Sequence, residues 1–368
     1  MNKKLKFSFF NVGQGDATLV EFPSGEFMLI DNKGGGKLNV IEYLKSILPE
    51  KNKKPFLNYF LLTHAHEDHV GPVNELFSEF EIGEIWYTGF EFKPKEKKEL
   101  PEVYVQFLKE IEARKSKYND LEIIVNKPGP LKKDIGEVQF EFISPPERET
   151  WEELWEQLKE SGDAYIKAYL KQLEEAIGKG QTMSEIIHAG SVVARISYMG
   201  SSVLITGDSE LLSWKYWIMP NFSKYCFSKL LHASHHGSKG FFISSDDSKK
   251  DAPFDENTEG CYTDGLVAIS PSIVVVTNKT KPGEKDHESP PNEYAMKLYK
   301  SFKDIKRDIY FTSDGTIEYV IPDEEISEHP DDIDEKFINE DSEGKGKSDI
   351  RYERPRKPAV VFPNKYGK

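Results

Sequence analysis

Three imidazoles and a carboxylate fall within six residues in the segment Thr63-His64-Ala65-His66-Glu67-Asp68-His69, directly after the apolar run Tyr59-Phe60-Leu61-Leu62. If the chain leaves a strand still extended at Thr63, residues two apart share a side, so His64 and His66 close on one cation. Asp68 and His69 then turn toward a second. Imidazole nitrogen and carboxylate oxygen suit zinc, manganese or iron, whereas structural zinc is usually held by thiolates. The bland alternative is a solvated histidine cluster on a loop.

Such a site needs more ligands, and the chain supplies them beside later apolar runs. Asp208 follows Ser202-Val203-Leu204-Ile205 through the turn Thr206-Gly207, and His235 and His236 follow Leu230-Leu231-His232. His188 precedes another such run, beginning at Val192. Loops at strand ends are where a rigid sheet presents its chemistry.

Taken together and in order, these segments resemble the metallo-β-lactamase fold superfamily. Within it, Asn11-Val12-Gly13-Gln14-Gly15-Asp16-Ala17, Leu204-Ile205-Thr206-Gly207-Asp208 and His235-His236-Gly237-Ser238-Lys239 resemble the hydrolase domain of ComEC/Rec2 competence proteins. The similarity runs from about residue 5 to about 321 and is weak between about 88 and 187.

The resemblance implies roles position by position. His64, His66 and His188 would bind one divalent metal, and Asp68, His69 and His235 the other, with Asp208 between them. The metals expected are zinc or manganese. Asp31, after Leu29-Ile30, would orient the histidine loop, because a metal-bound imidazole needs its other nitrogen fixed. Asp68, His236 and His287 are the expected catalytic residues, the two histidines as proton donors to a leaving oxygen. His232, inside an apolar run, reads as a core residue, and His329 as a solvated one.

The carboxylate at Asp208, where many β-lactamases carry cysteine, makes a hard oxygen site able to hold two metals roughly 3.5 to 4 Å apart. Such a pair generates hydroxide near neutral pH and neutralises a phosphoryl group under attack. The resulting expectation is a phosphodiesterase or nuclease acting on a nucleotide or nucleic acid. An ester, lactone or β-lactam hydrolase, and a non-catalytic binding module on the same fold, are the alternatives.

Short β-branched and aromatic runs predict strands at 7–10, 18–22, 27–30, 138–142 and 192–196. Helical spacing predicts helices over 40–48 and 73–80 on one face and over 293–302 on the other. The expected fold is α/β, a four-layer αββα sandwich whose two strand-rich halves are residues 5–142 and 191–321, with a helical insertion at about 101–187. That insertion contains helices over 103–118 and 151–177. One hydrolase domain over 1–322 and a charged, flexible tail over 323–368 complete the expected organisation.

The sequence sets 49 Lys and Arg against 63 Asp and Glu, a formal charge of −14. That field opposes a polyanion, and small nucleotides, short single strands and nucleic acid stand as competing substrates. No apolar run approaches a membrane span, and two cysteines without paired spacing suit a reducing compartment, so cytoplasmic residence is expected.

Overall fold

The structure is a computed structural model that describes residues 4–126, 128–160, 182–242, 262–282, 284, 290–302 and 305–329. The chain lays down most of one sheet first, as β1 (Leu5–Phe9), β2 (Thr18–Glu21), β3 (Phe27–Ile30), β4 (Glu50–Lys51), β5 (Lys54–Leu62), β6 (Glu81–Thr88) and β7 (Leu121–Ile123). A seven-stranded sheet follows from β8 (Leu131–Ile135), β9 (Val138–Ser144), β10 (Val193–Tyr198), β11 (Ser201–Ile205), β12 (Leu230–His232) and β13 (Ile273–Val276). Past a short hairpin, β14 (Ser301–Phe302) and β15 (Ile305–Lys306), β16 (Asp308–Phe311) completes it. β17 (Thr316–Ile321) and β18 (Glu325–His329) then return to the first sheet and bring it to nine strands, β17 lying antiparallel to β1.

Alternation along the strands makes the layers. Leu5, Phe7 and Phe9 of β1 share one face with Val20, Met28, Ile30 and Leu61, and this face meets Phe140, Phe142, Ala194, Ile196 and Val203 of the second sheet in one core. Trp86 sits at its centre, edge-on to Phe140 at 5.0 Å and Phe142 at 5.8 Å between ring centroids. Truncating a buried aromatic of this kind costs about 3–5 kcal/mol. The other face of the first sheet, with Leu19, Leu29, Phe60 and Leu62, is covered by α1 (Val40–Ile47), α2 (Glu67–Val70), α3 (Val73–Glu79) and α4 (Glu102–Arg114). The helix Glu293–Lys300 puts Ala295, Met296, Leu298 and Tyr299 into the core of the second sheet. Two multi-stranded sheets with helices on their outer faces make the α/β class expected from the sequence.

α1 shows how the local sequence does this. Asn39 caps it by accepting from the Glu42 N–H, worth about 1 kcal/mol, and Val40, Ile41 and Leu44 form its buried stripe. The helix stops at Leu48, extended as a residue before proline prefers.

Three expectations need correction. β9 pairs with β10, so residues 131–144 belong to the second sheet and the first half ends earlier than residue 142. The stretch 101–187 is not a purely helical insertion, because β7, β8 and β9 interrupt its helices and serve the two sheets. The first sheet also runs past residue 322: Ile326 of β18 is buried, and that one apolar side chain at the right parity adds an edge strand within a strongly acidic stretch. Residues 161–177 of the expected long helix, and 330–368 of the expected tail, lie outside the described residues.

Within each sheet, one group of neighbours is parallel: β3, β5, β6 and β7 in the first, and β11, β12, β13 and β16 in the second. Asp31, Thr63, Asp208, Ala233 and Thr277 follow the carboxyl ends of β3, β5, β11, β12 and β13. These ends meet at one edge of the sandwich, the position where open α/β sheets present ligand-binding groups.

Candidate metal centre

Asp208 is the hub. It is 1% exposed, and four imidazoles face its carboxylate: His69 Nε2 at 3.2 Å, His64 Nε2 at 3.5 Å, His235 Nε2 at 3.7 Å and His188 Nε2 at 3.9 Å. His236 Nε2 also lies 3.9 Å from it and 3.4 Å from Asp68 Oδ2.

The imidazoles are oriented from behind. Asp31 Oδ1 accepts from the Thr63 N–H at 2.8 Å, and Oδ2 accepts from the Thr63 hydroxyl at 2.8 Å and from His69 Nδ1 at 2.7 Å. With its proton committed to Asp31, the Thr63 hydroxyl can only accept from His64 Nδ1, 3.1 Å away. Both rings are therefore held through Nδ1 and turn Nε2 inward, the nitrogen left for a metal. His66 faces the Ser184 hydroxyl with Nε2 at 3.3 Å, which leaves Nδ1 for the centre. His235 Nδ1 donates to Glu210 Oε1 at 2.6 Å, and His188 Nδ1 is 3.6 Å from the other oxygen of Glu210.

The buried atoms on the inner side have no partners. Nε2 of His64, His69 and His236, both nitrogens of His188 and Oδ1 of Asp208 are enclosed and make no hydrogen bond. Each such orphan costs about 1–3 kcal/mol, and a cluster of them around one buried carboxylate makes a donor set that could take a cation. Among the described residues, His64, His66 and Asp208 can close on one point, as can Asp16, His69, Asp208 and His236, and His188, Asp208 and His235, each set with its ligand atoms within 4.8 Å of one another.

Charge tells the same story. Burial opposes ionisation of Asp208, but His69, His235, His64 and His236 outweigh it and hold the carboxyl well below the usual carboxylate range. Burial likewise opposes the charged form of His69, yet Asp208 and Asp31 raise it well above its ordinary value. His188 is pushed up to about 9 against burial by Glu210 and Asp208, and His236 to about 10 by Asp208 and Asp16. His66 falls to about 2, through burial first and then the neighbouring His64 and His188. The pocket is built around carboxylates that call for positive charge.

The structure brings together His64, His66, Asp68, His69, His188, Asp208, His235, His236 and Asp31. One grouping differs from the sequence expectation. His236 stands against His69, with ring centroids 5.2 Å apart, and against Asp68, whereas His235 stands beside His188 at 4.5 Å. Both residues have left-handed backbone, φ 47° and 52°, so strand parity no longer decides which ring faces which neighbour. His287 lies outside the described residues. His188 lies in the last turn of the helix Thr182–Ala189, held to the first sheet where Thr88 Oγ1 donates to the Gly190 carbonyl at 2.7 Å.

Sequence reasoning missed Asp16 and Glu210 as parts of this edge. Asp16 is 3% exposed; its carboxylate lies 3.4 Å from His232 Nε2, 3.6 Å from His236 Nδ1 and 3.7 Å from His69 Nδ1. His232 is thus a buried histidine that also braces the centre, bonded to Thr277 Oγ1 at 3.0 Å. The available signals were the acid ending Gly13-Gln14-Gly15-Asp16 and the acid two residues after Asp208. His329 is exposed and pairs with Glu318 at 3.0 Å.

No protein-family model matches the chain, and no curated protein matches it in sequence. Among solved structures, the chain is similar to Igni18, a novel metallo hydrolase from the hyperthermophilic archaeon Ignicoccus hospitalis KIN4/I, with 17% identity over 86% of this chain and 98% of that one and a TM-score of 0.43. It is similar to the metallo-beta-lactamase fold protein YhfI from Bacillus subtilis, with 13% identity over 83% and 95% of the two chains and a TM-score of 0.40. A third is CmlA, a diiron beta-hydroxylase from Streptomyces venezuelae, with 12% identity over 75% of this chain and 45% of that one and a TM-score of 0.37. These likenesses are distant, and the functional reading rests on the centre itself.

Proposed function

We propose that this chain is a metal-dependent hydrolase of the metallo-β-lactamase fold, and that it cleaves phosphodiesters. The observation that carries the reading is the set of unpartnered, inward-facing donors around the buried carboxylate of Asp208. His64, His66 and His188 would hold one divalent cation and Asp68, His69 and His236 a second, with Asp208 reaching both. When bound, such a pair supplies a hydroxide nucleophile near neutral pH and neutralises charge on a phosphoryl group.

The chain's own residues do the rest. Asp31, Thr63 and Glu210 fix the tautomers of His69, His64 and His235, so the rings need not reorganise during reaction. Asp208 gives oxygen where a thiolate would soften the site, which favours hard phosphoryl oxygens over β-lactam carbonyls. His235 is a quarter exposed, with Nδ1 held by Glu210 and Nε2 3.7 Å from Asp208, so its ring stands where a substrate would meet the centre.

Protein loaded with manganese or zinc should hydrolyse bis-p-nitrophenyl phosphate, with single-stranded DNA, cyclic nucleotides and nitrocefin assayed beside it. Asp68→Ala and Asp208→Ala should abolish turnover. Hydrolysis of nitrocefin alone would overturn the phosphodiester reading.

A further inference from the structure

We infer that Asp16 is a positioning residue for one of the two cations, the one assigned to Asp68, His69 and His236, and not for the other. Its side chain acts through His236. The inference rests on the two-cation reading above and names what assembles one half of it.

Asp16 stands between β1 and β2 of the first sheet, whereas His236 follows β12 of the second. An ion shared by both sheets needs their donors brought into register. Asp16 reaches all three: its N–H donates to the Asp68 carbonyl at 3.0 Å, and its carboxylate lies 3.7 Å from His69 Nδ1 and 3.6 Å from His236 Nδ1. In both rings the opposite nitrogen, Nε2, faces Asp208, at 3.2 Å and 3.9 Å. A carboxylate behind two imidazoles orients them rather than sharing their ion.

Of the two rings, His236 depends on it more. His69 Nδ1 already has Asp31 Oδ2 at 2.7 Å. His236 Nδ1 has the Thr277 hydroxyl at 3.5 Å, and that hydroxyl is closer to His232 Nε2, at 3.0 Å. Asp16 Oδ1 is enclosed and makes no hydrogen bond, yet it lies 3.4 Å from His232 Nε2 and 3.6 Å from His236 Nδ1. Asp16, His232, Thr277 and His236 are all buried, so attraction between the carboxylate and the rings is little screened. The left-handed backbone of His236, φ 52°, is a conformation that its surroundings must hold.

The donors assigned to the other cation lean on different groups. His64 is backed by Thr63, His66 by Ser184 and His188 by Glu210. Loss of the Asp16 side chain should therefore be felt at one ion only.

Calorimetric titration of the metal-free protein with manganese tests this in wild type, Asp16→Ala, Asp16→Asn, His236→Ala and the double variant Asp16→Ala/His236→Ala. In Asp16→Ala one ion should keep its wild-type affinity and the other weaken about 10–100-fold. Asp16→Asn leaves an oxygen behind the ring and should recover most of the loss. His236→Ala should weaken the same ion, and adding Asp16→Ala to it should cost nothing further, because the side chain acts through that ring. Electron paramagnetic resonance gives a second sign: the coupled signal of a manganese pair in wild type should become that of a lone ion in Asp16→Ala. If Asp16→Ala does not fold, Asp16→Leu, which keeps the branched shape and loses both oxygens, makes the same comparison. Equal weakening of both ions, no weakening, or additive losses in the double variant would overturn the assignment, as would a wild type that takes up a single ion. No substrate enters the measurement, so a failure to cleave diesters would sink only the phosphodiester reading.

Discussion

His69 Nδ1 lies 2.7 Å from Asp31 Oδ2, and this one contact aims the opposite nitrogen of the ring at Asp208, 3.2 Å away. Asp31 holds this place from a left-handed backbone, φ 56°, one residue beyond β3. The geometry is strained and local, and it joins the neighbouring ends of β3 and β5.

Asp31→Ala should therefore weaken metal binding about 10–100-fold, the usual cost of losing the carboxylate behind a ligating histidine. Competition against a chelating dye measures it. Affinity equal to wild type would mean that the ring is held by something other than Asp31.

The two adjacent histidines should behave differently. His236→Ala should lower the number of tightly bound divalent ions per chain, because that ring alone of the pair stands against Asp68 and His69. His235→Ala should keep the wild-type stoichiometry and lose turnover. Elemental analysis after dialysis reads both, and the reverse pattern would restore the grouping expected from sequence.

Gly15→Ala should be damaging for two reasons at once. The residue has φ 124°, and an added Cβ would lie 2.3 Å from the Asp68 carbonyl oxygen. A loss of about 1–3 kcal/mol is expected from the strained backbone alone, with impaired metal uptake in addition. Gly25→Ala is the control, since φ is 87° but no atom lies within 4 Å, so it should carry the conformational cost without the collision. Urea unfolding of the two variants gives the comparison; equal losses would show that the close approach to Asp68 does not matter.

Removing metal should destabilise the wild type and leave Asp208→Ala almost unmoved. Free metal at a hundred times its dissociation constant adds about 2.7 kcal/mol to the folded state. Thermal melts with and without EDTA show whether the variant has lost that increment. A wild-type melt indifferent to both chelator and added metal would argue that the centre holds no ion.

Much of the candidate centre was legible because its possible donors are local. His64, His66, Asp68 and His69 sit within six residues, and their spacing after an apolar strand already places them together. Asp208 and Asp31 were legible for a similar reason, each closing a short apolar run. The strands and helices that alternate cleanly, such as Phe27–Ile30 and Val40–Ile47, were readable within a residue or so. His188 was legible as a candidate but not as the end of a helix pinned to β6 through Gly190.

What the sequence by itself determined is the inventory: which residues carry nitrogen and oxygen donors, and which strand ends deliver them. Tertiary structure alone decided the partners. Asp16 reaches His232 and His236 across more than two hundred residues of chain, and Glu210 joins His188 to His235. Periodicity reports only near neighbours along the chain, whereas these pairings depend on two sheets packed through a common core. The choice between His235 and His236 lies in the same class, since two successive left-handed residues turn the rings in ways that strand alternation does not foresee.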